Sequence, residues 1–280
     1  GHISVVGNDF LAGNSLQDLV EIYMGDLVGD KVYKKFGIEF PLLIKFIDAE
    51  QDLSIQVHPN DELSKKRHNA YGKTEMWYVV DADKGALINS GFNQEVSKKK
   101  YLEYFNKGKL TDLLCFEKVN KGDVFFIPAG RVHAIGKGIL VAEIQQTSDV
   151  TYRIFDYNRK DENGNGRELH TELALDAIDF SYLEEYKTRY KTDRNKTSEI
   201  VSCEYFTSNI LEFSQTIEKD YYQLDSFVIY INLDGEFEIE HEEGIEKVKK
   251  GETVLIPASL ETFRLKPLSK EVKTLEVYIK

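Results

Sequence analysis

The stretch from Gly122 to His133, GDVFFIPAGRVH, fits the pattern G-x5-P-x-G-x2-H, and each fixed position restricts the backbone in its own way. Gly122 with Asp123 can close a hairpin, because glycine accepts positive φ at no steric cost. Val124 to Ile127 are β-branched and aromatic and predict a strand. Pro128 has no N–H to give a ladder and so ends that strand, and Gly130 permits a tight turn that starts another with His133 at its mouth. The frame returns from Gly251 to Thr262, GETVLIPASLET, with Ser259 and Thr262 where the first copy has Gly130 and His133. Two copies predict two related β units. The second lacks an obvious metal ligand, since His241 is the only histidine after residue 198.

Other segments give the first copy partners. In Leu53 to His58 (LSIQVH), Leu53, Ile55 and Val57 alternate with Ser54, Gln56 and His58, which predicts a strand with one polar face. Lys73 to Val80 (KTEMWYVV) sets Lys73, Glu75 and Trp77 on one face. Ile139 to Gln146 (ILVAEIQQ) does the same for Glu143 and Gln145, and Thr151 to Tyr157 (TYRIFDY) carries Arg153. Strands with chemically capable faces predict a barrel with a polar pocket inside. Gln56, His58, Glu75 and His133 then make a metal set, as two imidazoles and one carboxylate are the ligand types of many catalytic zinc sites. Iron and manganese also accept these ligands. With one carboxylate and three neutral groups, a bound Zn2+ would keep a net charge near +1, which favours an anionic intermediate.

The rest of the chain sets limits. Its 280 residues, 41% hydrophobic and 12% aromatic, suffice for one large or two medium domains. No apolar run approaches the ~18 residues of a membrane span, and no signal-peptide pattern opens the chain. Cys115 and Cys203 match no metal or redox spacing, so a reducing cytoplasm is the expected location. The net charge of -12 argues against a nucleic-acid partner. Ser15 to Asp26 predicts a helix behind a Ser15/Asp18 capping box, with Leu16, Leu19, Val20 and Tyr23 at helical spacing. Pro41 to Asp48 predicts a strand, and Gln94 to Cys115 a helical insert. Arg167 to Tyr190 reads as helical, Lys191 to Thr197 as a polar linker, and short strands dominate from Ser198 onward.

The G-x5-P-x-G-x2-H stretch resembles the second motif of the cupin superfamily. Joined to LSIQVHPND, GKTEMWYVV and GRVHAIGKGILVAEIQQTSDVTYRIFDYNR, it resembles the type I mannose-6-phosphate isomerase (phosphomannose isomerase) family in its short bacterial form, densely from about Pro41 to Arg159 and more loosely beyond. The resemblance implies a mainly β fold with helical additions: a cupin-type β-barrel (jelly roll) over 1–190 with an insert near 94–115, and a degenerate cupin-like barrel without a metal site over 198–280. It implies one zinc ion per chain on Gln56, His58, Glu75 and His133. It makes Arg153 the catalytic arginine and matches Lys73 to the lysine two positions before the zinc-bound glutamate. Ser54 and Arg159 would contact the substrate phosphate, and Glu143 would line the pocket. Members usually begin with a further segment holding a W-G stretch and a G-E-S-W-E-I-S-type strand, so one barrel strand and part of the pocket wall are expected to be missing here.

The implied reaction interconverts D-mannose 6-phosphate and D-fructose 6-phosphate by moving a proton between C2 and C1 through a cis-enediol. Lys73, Glu143, neighbours of His133 and metal-bound water all remain open as the base, because burial and pKa shifts decide among them. Two competitors stand beside this reading. A metal-dependent cupin oxygenase has no need of Lys73, Arg153 and Arg159 around its pocket, and a non-catalytic sugar-phosphate-binding cupin could lose the metal set. The oligomeric state is not fixed by the sequence.

Overall fold

The computed structural model describes residues 3–280. The chain divides into two compact units: a central one, Leu42–Thr188, and a composite one in which the residues up to Pro41 group with Arg189–Lys280. Residues 3–41, read in the sequence as the start of the catalytic domain, thus group with the C-terminal strands.

The composite unit opens with α1 (Leu16–Val28) and α2 (Asp30–Phe36). Ser15 caps α1 by accepting from the Asp18 N–H at 3.1 Å, as its sequence predicts. The helix kinks at Met24, where φ is 46° and ψ -122°, and its buried residues are Leu19, Val20, Leu27 and Val28, leaving Tyr23 exposed. The Asp225 carboxylate accepts from the Asp30 and Lys31 N–H groups at 2.7 and 3.1 Å, and the Phe227, Ala258 and Ser259 N–H groups donate to carbonyls of Val28, Leu27 and Asp26. Those bonds tie the helices to connecting segments about two hundred residues away in sequence.

The central unit contains β1 (Leu42–Ala49), β2 (Ile55–Val57), α3 (Asp61–His68), β3 (Glu75–Ala82), β4 (Leu87–Phe92), α4 (Lys98–Asn106), β5 (Leu114–Lys118), β6 (Val124–Ile127), β7 (His133–Ile135), β8 (Ile139–Gln146), β9 (Tyr152–Phe155) and α5 (Thr171–Ala177). They build two antiparallel sheets, ordered β1-β8-β3-β6 and β5-β4-β7-β2-β9. One apolar cluster takes Trp77, Val79, Phe125 and Val141 from the first sheet and Ile88 and Ile135 from the second, so the sheets pack face to face. Hydrogen bonding does not close them into one continuous barrel; this is the two-sheet form of the cupin jelly roll.

Three expectations change in the structure. The Gly122–Asp123 turn, with Gly122 at φ 93°, links β5 in one sheet to β6 in the other, so it is a crossover and not a hairpin. The helical insert is α4, a short 3-10 turn at Leu110–Leu113 and then β5. Helix between Arg167 and Tyr190 is confined to α5. Beyond it the chain runs as a strap: the Asp179 N–H donates to Gly130 O, the Thr188 N–H to Val124 O, and the Tyr186 hydroxyl to Phe92 O at 2.9 Å. Bonds to the sheets outcompete local helix propensity there.

The second sheet pair comprises β10 (Thr197–Ser202), β11 (Thr207–Phe213), β12 (Ile217–Asp220), β13 (Val228–Asp234), β14 (Phe237–His241), β15 (Gly244–Val248), β16 (Thr253–Ile256), β17 (Thr262–Pro267) and β18 (Val272–Tyr278). The orders are β10-β11-β18-β13-β16 and β12-β17-β14-β15, again antiparallel and enclosing a shared core of Leu211, Phe213, Tyr230, Phe237, Phe263 and Leu265.

Candidate metal centre

Three adjacent strands assemble half of the site. Gln56 on β2 lies directly opposite His133 on β7 and, on its other side, opposite Arg153 on β9. Side chains in register across a sheet share one face, so His133, Gln56 and Arg153 form a row. The facing sheet supplies a row of its own, Lys45 on β1, Glu143 on β8 and Trp77 on β3, with Glu75 and Gln145 paired in the next row. The turn after β6 fixes the edge of the site. Gly130, at φ 94°, donates its N–H to His58 O at 2.8 Å, and a Cβ there would meet Ala177 O at 3.0 Å. The positive φ favours glycine at this place in the motif, and a side chain would press on the Ala177 carbonyl.

His58, Glu75 and His133 come together with ligand atoms all within 4.8 Å of one another, and each is almost completely buried. Both histidines are oriented from behind: His58 Nδ1 is 2.9 Å from Val150 O, and His133 Nδ1 is 2.8 Å from Arg131 O. A carbonyl only accepts, so each Nδ1 carries the proton and each Nε2 presents a lone pair. These nitrogens face Glu75, at 3.5 Å from Oε2 for His58 and 3.4 Å from Oε1 for His133. Burial is the main cause that pushes both imidazoles down, His133 to about 3, with Lys73 adding to it, so both rings are neutral at physiological pH. Burial pushes Glu75 up to about 8, opposed by Lys73 and reinforced by Glu143.

This donor set fits a divalent cation. Glu75 is fully buried: its Oε2 is met by Lys73 Nζ alone, and its Oε1 has no hydrogen-bond partner among the described residues, in a site whose histidines offer lone pairs and not protons. A cation seated among them would supply the missing compensation. Gln56 adjoins the trio with Nε2 at 3.3 Å from His133 Nε2, and half a turn of its amide exchanges nitrogen for oxygen.

The remaining anticipated residues are also placed. Lys73 Nζ is 3.2 Å from both Glu75 Oε2 and His58 Nε2. Glu143 accepts from Trp77 Nε1 at 3.0 Å and pairs with Lys45 Nζ at 3.1 Å. Ser54 is buried two residues before Gln56. Arg153 donates Nη1 to Glu168 O at 2.9 Å, while its Nε has no partner among the described residues. Arg159 directs Nε and Nη2 to Asp156 and Nη1 to Asp52 O at 2.6 Å, so its donors are engaged by protein oxygens.

Sequence reasoning passed over Lys45, Asp156 and Arg167. Lys45 left a signal, being the lone cation in the apolar run PLLIKFID with a glutamate in register beside it. Asp156 and Arg167 left none, because their pairing depends on how the chain turns after β9.

The chain is similar to known proteins over most of its length. Residues 2–94 match the family described as phosphomannose isomerase type I, catalytic domain, and residues 196–271 match the mannose-6-phosphate isomerase cupin domain. Mannose-6-phosphate isomerase ManA of Bacillus subtilis is 38% identical over 268 residues, covering 94% of this chain and 82% of that protein. A mannose-6-phosphate isomerase of Streptococcus mutans is 33% identical over 265 residues, covering 94% and 81%. The crystal structure of the mannose 6-phosphate isomerase from Bacillus subtilis superposes with a TM-score of 0.86 at 32% identity, over 99% of this chain and 86% of that one.

Proposed function

The chain belongs to the type I mannose-6-phosphate isomerase family, and from that premise we propose that it interconverts D-mannose 6-phosphate and D-fructose 6-phosphate with one zinc ion held by Gln56, His58, Glu75 and His133. The observation that carries this reading is the buried carboxylate of Glu75, whose Oε1 has no hydrogen-bond partner among the described residues and which two imidazole lone pairs face. The zinc would supply a Lewis acid at the sugar oxygens, stabilising negative charge that develops when a proton leaves carbon next to a carbonyl.

This chain's own residues account for the remainder. A hydrogen at C2 becomes removable only if the cis-enediol oxygens are held, and Arg153, with an unengaged Nε–H in register with Gln56, is set to donate to one of them. Lys73, beside Glu75, and Glu143, between Trp77 and Lys45, are the groups able to carry the proton between C2 and C1. Lys45 and Lys73 add positive charge that draws an anionic sugar into a pocket on an otherwise acidic protein. Ser54 and Arg159 contact the substrate phosphate in this reading, and the soluble cytoplasm is its setting.

Exchange of the C2 hydrogen of mannose 6-phosphate with solvent tests the reading. The purified chain should wash out label from C2, lose that activity on chelation and regain it when zinc is restored. A zinc-loaded chain that binds the sugar phosphate without exchange would leave only a binding function.

A further inference from the structure

Downstream of β9 the backbone makes an abrupt excursion. Tyr157 and Asn158 both lie in the left-handed region, at φ 53° and 54°, a conformation that non-glycine residues adopt at a cost. The excursion narrows to a bridge between Lys160 and Gly166 and returns to pair with the strand it left. There the His170 N–H donates to Arg153 O at 2.8 Å, and the Arg153 N–H donates to His170 Nδ1 at 3.1 Å. The returning segment also supplies Glu168 O, which accepts from Arg153 Nη1 at 2.9 Å. Arg153 is therefore gripped at both ends, backbone and guanidinium, by residues 168–170.

What holds the returning segment is Asp156. Its carboxylate is only 5% exposed and accepts side-on from two guanidinium groups, Arg159 before the excursion tip and Arg167 after it, with Arg167 Nε at 2.8 Å and Arg159 Nε at 3.1 Å. Arg167 spans both carboxylate oxygens, a bidentate pairing that fixes orientation as well as distance, while Arg159 directs both its nitrogens at Oδ1. The two arginines hold the Asp156 carboxyl down to about 2, Arg167 being the larger influence. Burial and the proximity of Arg167 lower the Arg153 guanidinium from its ordinary value, with Asp156 opposing, so Asp156 also relieves repulsion among three neighbouring cations.

Resting on the reading of Arg153 as a working residue of the isomerase, we infer that Asp156 is a positioning residue that aims Arg153 into the metal centre through Arg167 and the backbone of residues 168–170. The unengaged Nε–H of Arg153 is what this arrangement presents. Near-attack geometry is sensitive to displacements of about 1 Å, which can cost up to roughly a hundredfold in rate.

A double-mutant cycle separates aiming from mere structural support. Asp156→Asn should lower kcat by about ten- to a hundredfold, and any change in KM for mannose 6-phosphate reports on Arg159, which Asp156 also holds. In an Arg153→Lys background the same substitution should have almost no further effect, because the group it aims is gone. Arg167→Gln should act in the same direction, Arg167→Lys should restore part of the loss, and this pair covers the case in which Asp156→Asn does not fold. Equal losses in both backgrounds, or no loss in the parent, would overturn the inference. A second readout is independent of turnover: the 15Nε–H resonance of Arg153, identified by its disappearance in Arg153→Lys, should shift or broaden in Arg167→Gln. An unchanged resonance overturns the positioning role even if the isomerase reading stands. A shifted one upholds the coupling even if no isomerisation is found.

Discussion

In the central unit Trp77 lies between Phe125 and Glu143 in register, and in the composite unit Tyr230 lies between Val254 and Glu276. The Gly122 and Gly251 turns, at φ 93° and 84°, dock on Val79 O and Asn232 O at matching distances along those strands. Each unit thus buries one glutamate at the same place, with a ring donor from the next strand: Trp77 Nε1 to Glu143 at 3.0 Å, Tyr230 hydroxyl to Glu276 at 3.1 Å. They differ in what surrounds it. Glu276 is closed off by Lys219, by Asn209 at 3.0 Å and by Tyr230, and Lys219 in turn donates to Thr197 Oγ1 at 2.8 Å. Val228 stands where the central unit has Glu75. Thr262, at the place of His133 in the repeated frame, is exposed, and the buried positions on its strand hold Phe263 and Leu265. One sheet pair leaves Glu75 Oε1 without a hydrogen-bond partner among the described residues, and the other satisfies its carboxylate from within. A fully bonded polar network stabilises one structure, whereas an incompletely bonded one marks where something else binds.

Exchanging the roles of these carboxylates gives the largest expected effect. Glu75→Gln should reduce isomerase turnover at least about a thousandfold, since a metal's charge stabilisation is worth several kcal/mol, with bound zinc falling in metal analysis and thermal stability nearly unchanged. Equal turnover in parent and variant would erase the distinction between the units. Glu276→Gln should do the opposite. Breaking a buried ion pair costs about 3 kcal/mol or more, measured by denaturant unfolding, and turnover should stay at the parent level. Adding Lys219→Met should recover part of that loss, because the stranded charge is then gone too.

A smaller effect concerns acid. The Asp156 carboxyl is held below its ordinary value, 3.8, at about 2. A depressed carboxyl contributes stability that is present above its unfolded pKa and disappears as pH falls through the folded one. The stability gap between the parent and Asp156→Asn should therefore be constant above about pH 5 and narrow between pH 4 and 2, read from denaturation midpoints. A gap that widened on acidification would contradict the pairing. The smallest effects are local. Ser15→Ala and Ser97→Ala each remove a helix cap and should cost about 1 kcal/mol. Hydrogen exchange should register the first in the composite unit and the second in the central one, with turnover unchanged.

Much of this was legible in the chain. The strands at 42–49, 124–127 and 139–146 announce themselves by β-branched and apolar runs, and alternation alone paired Gln56 with His58. Register, however, is a property of two strands, so the rows Lys45–Glu143–Trp77 and His133–Gln56–Arg153 could not be read from any one of them. The segment after Ala177 misled because its apolar spacing suits a helix while its hydrogen bonds are satisfied by distant partners, such as Gly130 O and Val124 O. That residues 3–41 group in space with the C-terminal strands was not legible, because the sequence gives no sign that Asp225 caps α2.

The brevity of β2 has a consequence for how such a chain can diverge. Ile55, Gln56 and Val57 alone set the phase of the centre, since neighbours in a strand point to opposite sides. Inserting or deleting a single amino acid between Leu53 and His58 would turn the amide outward and an aliphatic group inward in one step. Innovation in this architecture therefore has almost no room in those three positions.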